Sequence, residues 1–185
     1  VLAGVSISAM FSGATTLLQY FADETQLATL LFWTFGDLGG AGWDEIRKMS
    51  LTVALATFWF LLHRWDFNAL LSGRETAVSL GINIRRLVLV NMLICCYTAS
   101  SIVSKIGLVS FIGLIAPHMV RMVVGNNHIY LIPGSVLAGA SLLLFGDLLS
   151  RVLLSPVVLP IGAITSFLGA PLFLYLLFKG RDKTC

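Results

Sequence analysis

The sequence has 185 residues, of which 57% are hydrophobic and 11% are charged, and its mean hydropathy is +0.92. Soluble domains carry about a quarter charged residues, so this composition excludes a soluble globular fold. The formal net charge of +3 is too small and too scattered for a nucleic-acid surface. The sequence therefore predicts an all-α, polytopic membrane protein, with residues 1–185 forming one domain in a lipid bilayer.

Six apolar stretches approach the length of a spanning helix. Such a helix needs about 20 mostly apolar residues, because the hydrocarbon core offers no partner to unpaired backbone groups. The stretches predict six transmembrane helices: Val1 to Tyr20, Ile46 to His63, Leu87 to Ser104, Gly107 to Val124, Leu131 to Leu154 and Ile161 to Phe178. Leu27 to Phe35 is too short to cross and predicts a short helix at one face, followed by a glycine-rich turn.

The connection from Arg64 to Arg86 is long and polar, with periodic apolar residues. It predicts short helices outside the bilayer. Within it, Gly73 can separate two helices and Gly81 can end the second, while Leu71, Val78 and Leu80 supply apolar contacts. A compact amphipathic projection of this kind suits the groove of a partner protein.

The basic residues divide unequally between the two faces that six spans define. One face collects eight and the other four: Arg64, Arg74, Arg85, Arg86, Arg121, Lys179, Arg181 and Lys183 against Arg47, Lys48, Lys105 and Arg151. By the positive-inside rule, residues 64–86 and the C-terminus face the cytoplasm.

Two of the predicted spans carry a stripe of small and polar residues on one face. The stripes are Gly4, Ser8, Ser12 and Thr15 in the first span and Gly162, Ser166 and Gly169 in the last. Such a stripe either lets helices pack closely or lines a wet path. Close packing is the more frequent explanation.

Asp147 and Arg151 lie one helical turn apart near the end of the fifth span. They can form an ion pair, which lowers the cost of keeping charge close to the membrane. The pair either anchors the end of the helix or serves a function there.

No catalytic or metal-binding pattern is visible. The sequence has no GxSxG, paired-aspartate or Walker pattern, and its cysteines, the adjacent Cys95 and Cys96 and the terminal Cys185, have no ligand or disulfide spacing. We therefore expect no enzyme activity, no cofactor and no metal, and we expect ATP to be hydrolysed by a separate partner.

These residues together resemble the FecCD-type permease subunits of ATP-binding-cassette (ABC) importers for iron-siderophores, haem and vitamin B12. The resemblance extends over essentially the whole chain. Its motifs are Phe32-Trp33 with Gly36, Gly39-Gly40 and Trp43; Leu71 to Gly81; Gly107 to His118 with Arg121; Asn127-His128; Leu131 to Gly134; Asp147 to Arg151; Leu159 to Gly162; and Gly169 to Pro171.

The resemblance implies a homodimeric permease with ten spans per subunit in the bacterial inner membrane. Two cytoplasmic ABC ATPase subunits and a periplasmic substrate-binding protein would serve it. Only the C-terminal six spans are matched, so the chain looks like a little over half of a subunit.

The resemblance also implies roles for particular residues. The family's coupling loop, which docks in the ATPase, falls on Leu71, Ser72, Gly73, Arg74, Glu75, Thr76, Ala77, Leu80 and Gly81. Arg151 falls on an arginine that pairs with a glutamate of the binding protein. The first and last spans line the translocation pathway, which favours the wet-path interpretation of Gly4, Ser8, Ser12, Thr15, Gly162 and Ser166.

We therefore expect an importer permease. The expected substrate is a ferric siderophore, with haem, cobalamin and molybdate as alternatives. A secondary transporter or channel would need buried ion-coordinating acids or broken helices, and Asp147 is the one candidate. An intramembrane enzyme would need a nucleophile with a base or a metal site.

Overall fold

A computed structural model describes residues 2–153 and 159–181, apart from the side chains at 177 and 179–181. The described residues form nine α-helices and no β-strand, which confirms the all-α prediction. The helices are α1 (Leu2–Phe21), α2 (Glu24–Phe35), α3 (Trp43–Leu62), α4 (Arg64–Leu71), α5 (Arg74–Ser79), α6 (Ile84–Ile106), α7 (Ile112–Val124), α8 (His128–Val152) and α9 (Ile161–Arg181).

The chain divides into two compact units, Val1–Thr34 and Phe35–Cys185. The first unit contains α1 and all but the last residue of α2. The second contains α3 to α9. That residues 1–185 form one permease domain stays a prediction.

Each of the six predicted stretches contains a helix. Among the described residues, α1, α6 and α8 are long and apolar enough to cross a membrane, whereas Ile112–Val124 and Ile161–Leu176 are apolar but shorter. The 20 residues of α3 begin with charged side chains, so its apolar part is shorter than the helix. Val1 and Leu154, which bound two of the predicted spans, lie outside the described residues.

The second unit has two ends. At one end, the backbone N–H of Asp37 donates to the carbonyl of Ile106 (2.9 Å), which joins the connection between α2 and α3 to the end of α6. Arg151 near the end of α8 lies there too, and we call this the Arg151 end. At the other end, α4 contacts the start of α8, and we call it the 64–86 end. Between residues 47 and 151, the basic residues assigned to the cytoplasmic face lie towards the 64–86 end, and those assigned to the opposite face lie towards the Arg151 end, as the sequence predicts. Lys183 lies outside the described residues.

The helix of the fourth span begins later than predicted. It starts at Ile112 and not near Gly107, because Gly107 has φ 77° and Phe111 has φ 67°. A non-glycine residue in this left-handed region costs roughly 1 kcal/mol or more. Two amides stabilise the turn, since the N–H groups of Leu114 and Ile115 donate to the Phe111 carbonyl at 3.0 and 2.9 Å.

Glycines allow three backbone segments to meet at the Arg151 end. A Cβ atom at Gly36 would lie 2.8 Å from the Leu108 carbonyl oxygen, and one at Gly162 would lie 2.6 Å from the same oxygen and 2.7 Å from that of Phe35. Gly36 also has φ 76°, which other residues adopt only with strain. Only glycine fits at either position without a shift of the backbone.

Glycines also bring α8 and α9 close to their neighbours. A Cβ at Gly134 of α8 would lie 2.7 Å from Val120 Cγ1 of α7, and one at Gly169 of α9 would lie 2.7 Å from the Cβ of Phe111. Small residues at such contacts are typical of helices that pack in a membrane, where apolar burial gives no preference for a helix neighbour over lipid.

We expect Gly162→Ala to destabilise the second unit by about 1–3 kcal/mol, because the added methyl overlaps two carbonyl oxygens. Gly113→Ala is the matched control, since it lies in the first turn of α7 and a Cβ there meets nothing within 4 Å. The measurement is the thermal unfolding midpoint in detergent. Equal midpoints for the two variants would contradict this packing.

Candidate functional site

The 64–86 segment folds into two short helices that meet at a glycine. The first, α4, ends with the N–H groups of Ser72 and Gly73 donating to the carbonyls of Ala69 (3.1 Å) and Leu70 (3.2 Å). Gly73 then takes φ 116° and ψ 157°, a backbone conformation that only glycine adopts readily. The chain turns at this residue and α5 begins at Arg74. The predicted break at Gly73 is therefore present.

The turn after α5 is closed by a Schellman motif. The N–H of Ile82 donates to the Ala77 carbonyl (3.1 Å) and the N–H of Gly81 to the Val78 carbonyl (2.9 Å). Gly81 has φ 81°, as this motif requires of the residue after the helix cap. Asn83 then caps α6, its side-chain oxygen accepting from the N–H of Arg86 (3.0 Å). The predicted helix end at Gly81 is thus explained by specific hydrogen bonds.

One small residue anchors α5, while its other side chains face outward. Ala77 is fully buried, whereas Leu71, Val78 and Leu80 are each more than half exposed. Arg74, Glu75 and Thr76 are exposed as well. The segment therefore presents an apolar and charged surface at the 64–86 end.

A polar contact ties α4 to the start of α8. The amide nitrogen of Asn68 donates to Asn127 Oδ1 (2.9 Å), and Asn68 Oδ1 accepts from the backbone N–H of His128 (2.9 Å) and lies 2.9 Å from its Nδ1. The ring of Phe67 lies beside His128, with centroids 5.5 Å apart. No local pattern in the sequence predicts this contact, because its partners lie 59 and 60 positions apart in the chain.

A second long-range hydrogen bond joins α3 to α6 near the same end. The indole N–H of Trp59 donates to Asn91 Oδ1 (3.1 Å), and the Asn91 amide donates to the Leu87 carbonyl of its own helix (2.7 Å). An Asn and a Trp inside apolar stretches are the sequence signal that could have indicated such a bond.

At the Arg151 end, Arg151 binds the Asp147 carboxylate with two hydrogen bonds. Its Nε donates to one oxygen at 2.9 Å and its Nη2 to the other at 3.2 Å, so the predicted ion pair forms. The Arg151 side chain is 51% exposed and that of Asp147 24%. Asp37 lies near enough to add to the charge around the guanidinium.

A second ion pair holds α3 to α6 at this end. Lys105 Nζ lies 2.8 Å from Glu45 Oε1. The hydrogen bond from Lys105, with one from the Gly42 N–H, lowers the pKa of the Glu45 carboxyl below its ordinary value. Glu45 therefore stays ionised at neutral pH, and the ends of the two helices remain linked.

The two stripes of small residues belong to different units. On α1, Gly4, Ser8 and Ser12 line a shallow groove together with Val5 and Ala9, and the Thr15 hydroxyl donates to the Phe11 carbonyl (2.9 Å). On α9, Ser166 is half-buried, whereas Gly162 packs against carbonyl oxygens. Packing alone explains Gly162, and its place on a pathway stays a prediction.

The described part of the chain contains no group of three or more His, Cys, Asp or Glu residues that could hold a metal ion. Cys95 and Cys96 are free thiols, exposed on α6, and Cys185 lies outside the described residues.

Residues 1–179 match the sequence profile of the FecCD transport family. A protein named as an ABC transporter permease in Methanocaldococcus jannaschii is 50% identical over 179 residues, which are 97% of this chain and 51% of that protein. The hemin transport system permease protein of Yersinia pestis is 37% identical over 183 residues, or 99% of this chain and 55% of that protein.

A solved structure has the same fold. It is assigned as the inward-facing conformation of a metal-chelate type ABC transporter, and it matches 96% of this chain and 58% of its own chain with a TM-score of 0.90 and 32% identity. The chain spans about half the length of the curated relatives it matches.

Proposed function

We propose, since the chain belongs to the FecCD transport family, that it forms part of the membrane permease of an ABC importer for a metal chelate. The observation that carries this proposal is the 64–86 segment, in which two short helices present exposed side chains at one end of a bundle of apolar helices. A channel or secondary transporter has no need of such a projection. Asp147, the acid that could have served a secondary transporter, is paired with Arg151.

The 64–86 segment is proposed to dock on a cytoplasmic ABC ATPase. Its surface combines the exposed apolar Leu71, Val78 and Leu80 with the charged Arg74 and Glu75, which suits a groove with apolar walls and charged edges. Fully buried Ala77 and the two glycine turns hold its shape. A rigid projection transmits a push from the ATPase better than a mobile loop would.

We expect Glu75→Lys to weaken ATPase binding at least about tenfold, because reversing a charge inside an interface places like charges together. Glu24→Lys is the control, since Glu24 also lies exposed in the first turn of a helix, α2. Co-purification of the ATPase with each variant measures the effect. Full recovery of the ATPase with Glu75→Lys would remove this role.

The Arg151 end is proposed to face outward and to receive a substrate-binding protein. The excess of basic residues at the 64–86 end supports this orientation by the positive-inside rule. Arg151 is half-exposed and accessible beyond its pair with Asp147, so a carboxylate of the partner can approach it. In this proposal the permease lies in the cell membrane, with its C-terminus in the cytoplasm.

Arg151→Glu is expected to weaken binding of the partner protein about tenfold or more, since the new carboxylate repels both Asp147 and an acidic partner. Folding should change by less than about 1 kcal/mol, as for other exposed pairs. Arg47→Glu serves as the control, because Arg47 is an exposed, paired arginine at the same end. Biolayer interferometry measures the affinity of each variant for the binding protein, and equal affinities for both variants would count against docking at Arg151.

The stripe Gly4, Ser8, Ser12 and Thr15 is proposed to line the translocation pathway, together with Gly162 and Ser166. Small hydroxyl side chains offer weak contacts to a passing cargo, and weak binding is what conduction requires. Gly4, Ser8 and Ser12 lie on an exposed face of α1, which leaves them open to a passing cargo.

We expect Ser12→Trp to reduce ATP-driven uptake at least about tenfold, because the indole would fill the groove of α1. Ser6→Trp is the control. It lies two residues before Ser8 and so about 200° around the same helix. Uptake of the cargo into proteoliposomes is the measurement. Equal uptake by both variants would restore the packing interpretation.

The proposed cargo is an iron complex, with a ferric siderophore first and haem, cobalamin and molybdate as alternatives. The metal-chelate type of the similar solved structure and the hemin permease among the relatives support a metal chelate as the class. A second permease subunit is proposed to complete the pathway as a homodimer. The cargo is identified by titrating the partner binding protein with each complex and monitoring its tryptophan fluorescence, since the cargo should bind most tightly.

A further inference from the structure

Asn68 bridges two helices that are distant in the chain. Most side-chain hydrogen bonds among the described residues return to a backbone carbonyl three or four residues away, as Ser135 and Ser141 do in α8. Asn68 instead uses both ends of its amide on residues about 60 positions further along. Because its side-chain oxygen can only accept, the Nδ1 of His128 carries the proton in their contact.

The partners of Asn68 are the residues that start α8. Asn127 caps this helix, since the oxygen that accepts from Asn68 also accepts from the N–H of Ile129 (3.1 Å). The N–H of His128, one of the first amides of the helix, donates to Asn68. Four amides at the start of a helix lack partners within it. Asn68 therefore adds to the cap of α8 from another helix, and α4 cannot move away without leaving the N–H of His128 unpaired.

The contact also lies on the most direct route from the 64–86 segment to α8. Among the helices, α5 packs against α4 and α6. Towards α6 the chain continues directly through the turn at Gly81. Towards α8 the connection runs through α4, either directly through the Asn68 contact or by way of α3, which continues into α4 and packs against α8. From His128 to Arg151, α8 rises by about 35 Å. It thus connects the 64–86 end with the surface proposed to receive the binding protein.

We propose that the hydrogen bonds of Asn68 with Asn127 and His128 transmit the movement of the 64–86 segment to α8. This inference rests on the proposed function, because it requires an ATPase that moves the segment. Asn68 and His128 are positioning residues in this account. They touch neither cargo nor ATP, and they make α4 and α8 move as one body.

The test uses the membrane complex that contains this chain, purified with its ATPase and reconstituted in liposomes. Asn68→Ala removes the contact. Asn126→Ala is the matched control, since Asn126 is an exposed asparagine in the same turn. His128→Phe is a milder variant that keeps a ring beside Phe67 and loses the ring nitrogens, including the Nδ1 that contacts Asn68.

The first readout is the number of cargo molecules taken up per ATP hydrolysed, with a ferric hydroxamate siderophore, ferric citrate, hemin, cobalamin and molybdate each supplied as probe. We expect this ratio to fall about fivefold or more in Asn68→Ala, which is the lower range of measured couplings between sites, and to be unchanged in Asn126→Ala. The ratio for His128→Phe should lie between those of Asn68→Ala and Asn126→Ala. The double variant Asn68→Ala/His128→Ala should be no worse than Asn68→Ala, because both act through one contact.

The second readout does not depend on cargo. Spin labels on Trp65→Cys of α4 and Leu144→Cys of α8, both exposed residues, report the distance between these helices after Cys95, Cys96 and Cys185 are replaced by serine. Without Asn68 the distance distribution should broaden when ATP is added, and with Asn68 it should keep its width.

Two results would overturn the inference. One is a wild-type ratio of uptake to ATP hydrolysis in Asn68→Ala. The other is a lowered ratio with an unchanged distance distribution, which would place the transmission elsewhere. Failure of the proposed function has a different signature, because the wild-type complex would then take up none of the probes on addition of ATP.

Discussion

The convergence of Gly36, Leu108 and Gly162 is the contact on which the second unit depends. The backbone preceding α3, the turn before α7 and the first turn of α9 approach so closely there that no side chain fits at either glycine. In a bilayer, moving an apolar surface from lipid to another helix yields no hydrophobic free energy, so close backbone approach must supply much of the packing energy. The same turn contains Phe111 in its left-handed conformation, and Phe111 packs on Gly169. The position of α9, with the proposed pathway residue Ser166, follows from these contacts.

Polar contacts between helices lie at the two ends of the second unit. Glu45 of α3 with Lys105 of α6 holds one end, where Asp147 and Arg151 also pair within α8, and Asn68 of α4 with Asn127 and His128 at the start of α8 holds the other. Between them, the described contacts are made mainly by apolar side chains and glycines, with the hydrogen bond from Trp59 to Asn91 as an exception. This distribution is expected for a membrane protein, because a charged group is far less costly near an interface than at the centre of the bilayer.

Local patterns in the sequence predict the helices well and the contacts between them poorly. The breaks at Gly73 and Gly81 and the ion pair of Asp147 with Arg151 depend on neighbours within a few residues, so their spacing predicts them. The late start of α7 depends on Phe111, a non-glycine residue with φ 67°, and no local pattern marks such a residue. The Asn68 contact joins residues 59 positions apart, and its residues are ordinary helix-cap and loop types. Tertiary packing selects both features, so the sequence of one chain does not reveal them.

The pairing of Arg151 with Asp147 bears on how a partner could bind and leave. An exposed ion pair contributes only about 0–1 kcal/mol, so exchanging Asp147 for a carboxylate of another protein is nearly neutral in free energy. Before a partner binds, two hydrogen bonds hold the guanidinium in one orientation. Docking therefore costs less side-chain conformational entropy. A long arginine without such a neighbour would bind a partner no more tightly and would have to be ordered first. A weak contact that is already oriented favours rapid and reversible docking, as the proposed binding protein would need if it returned for each new cargo.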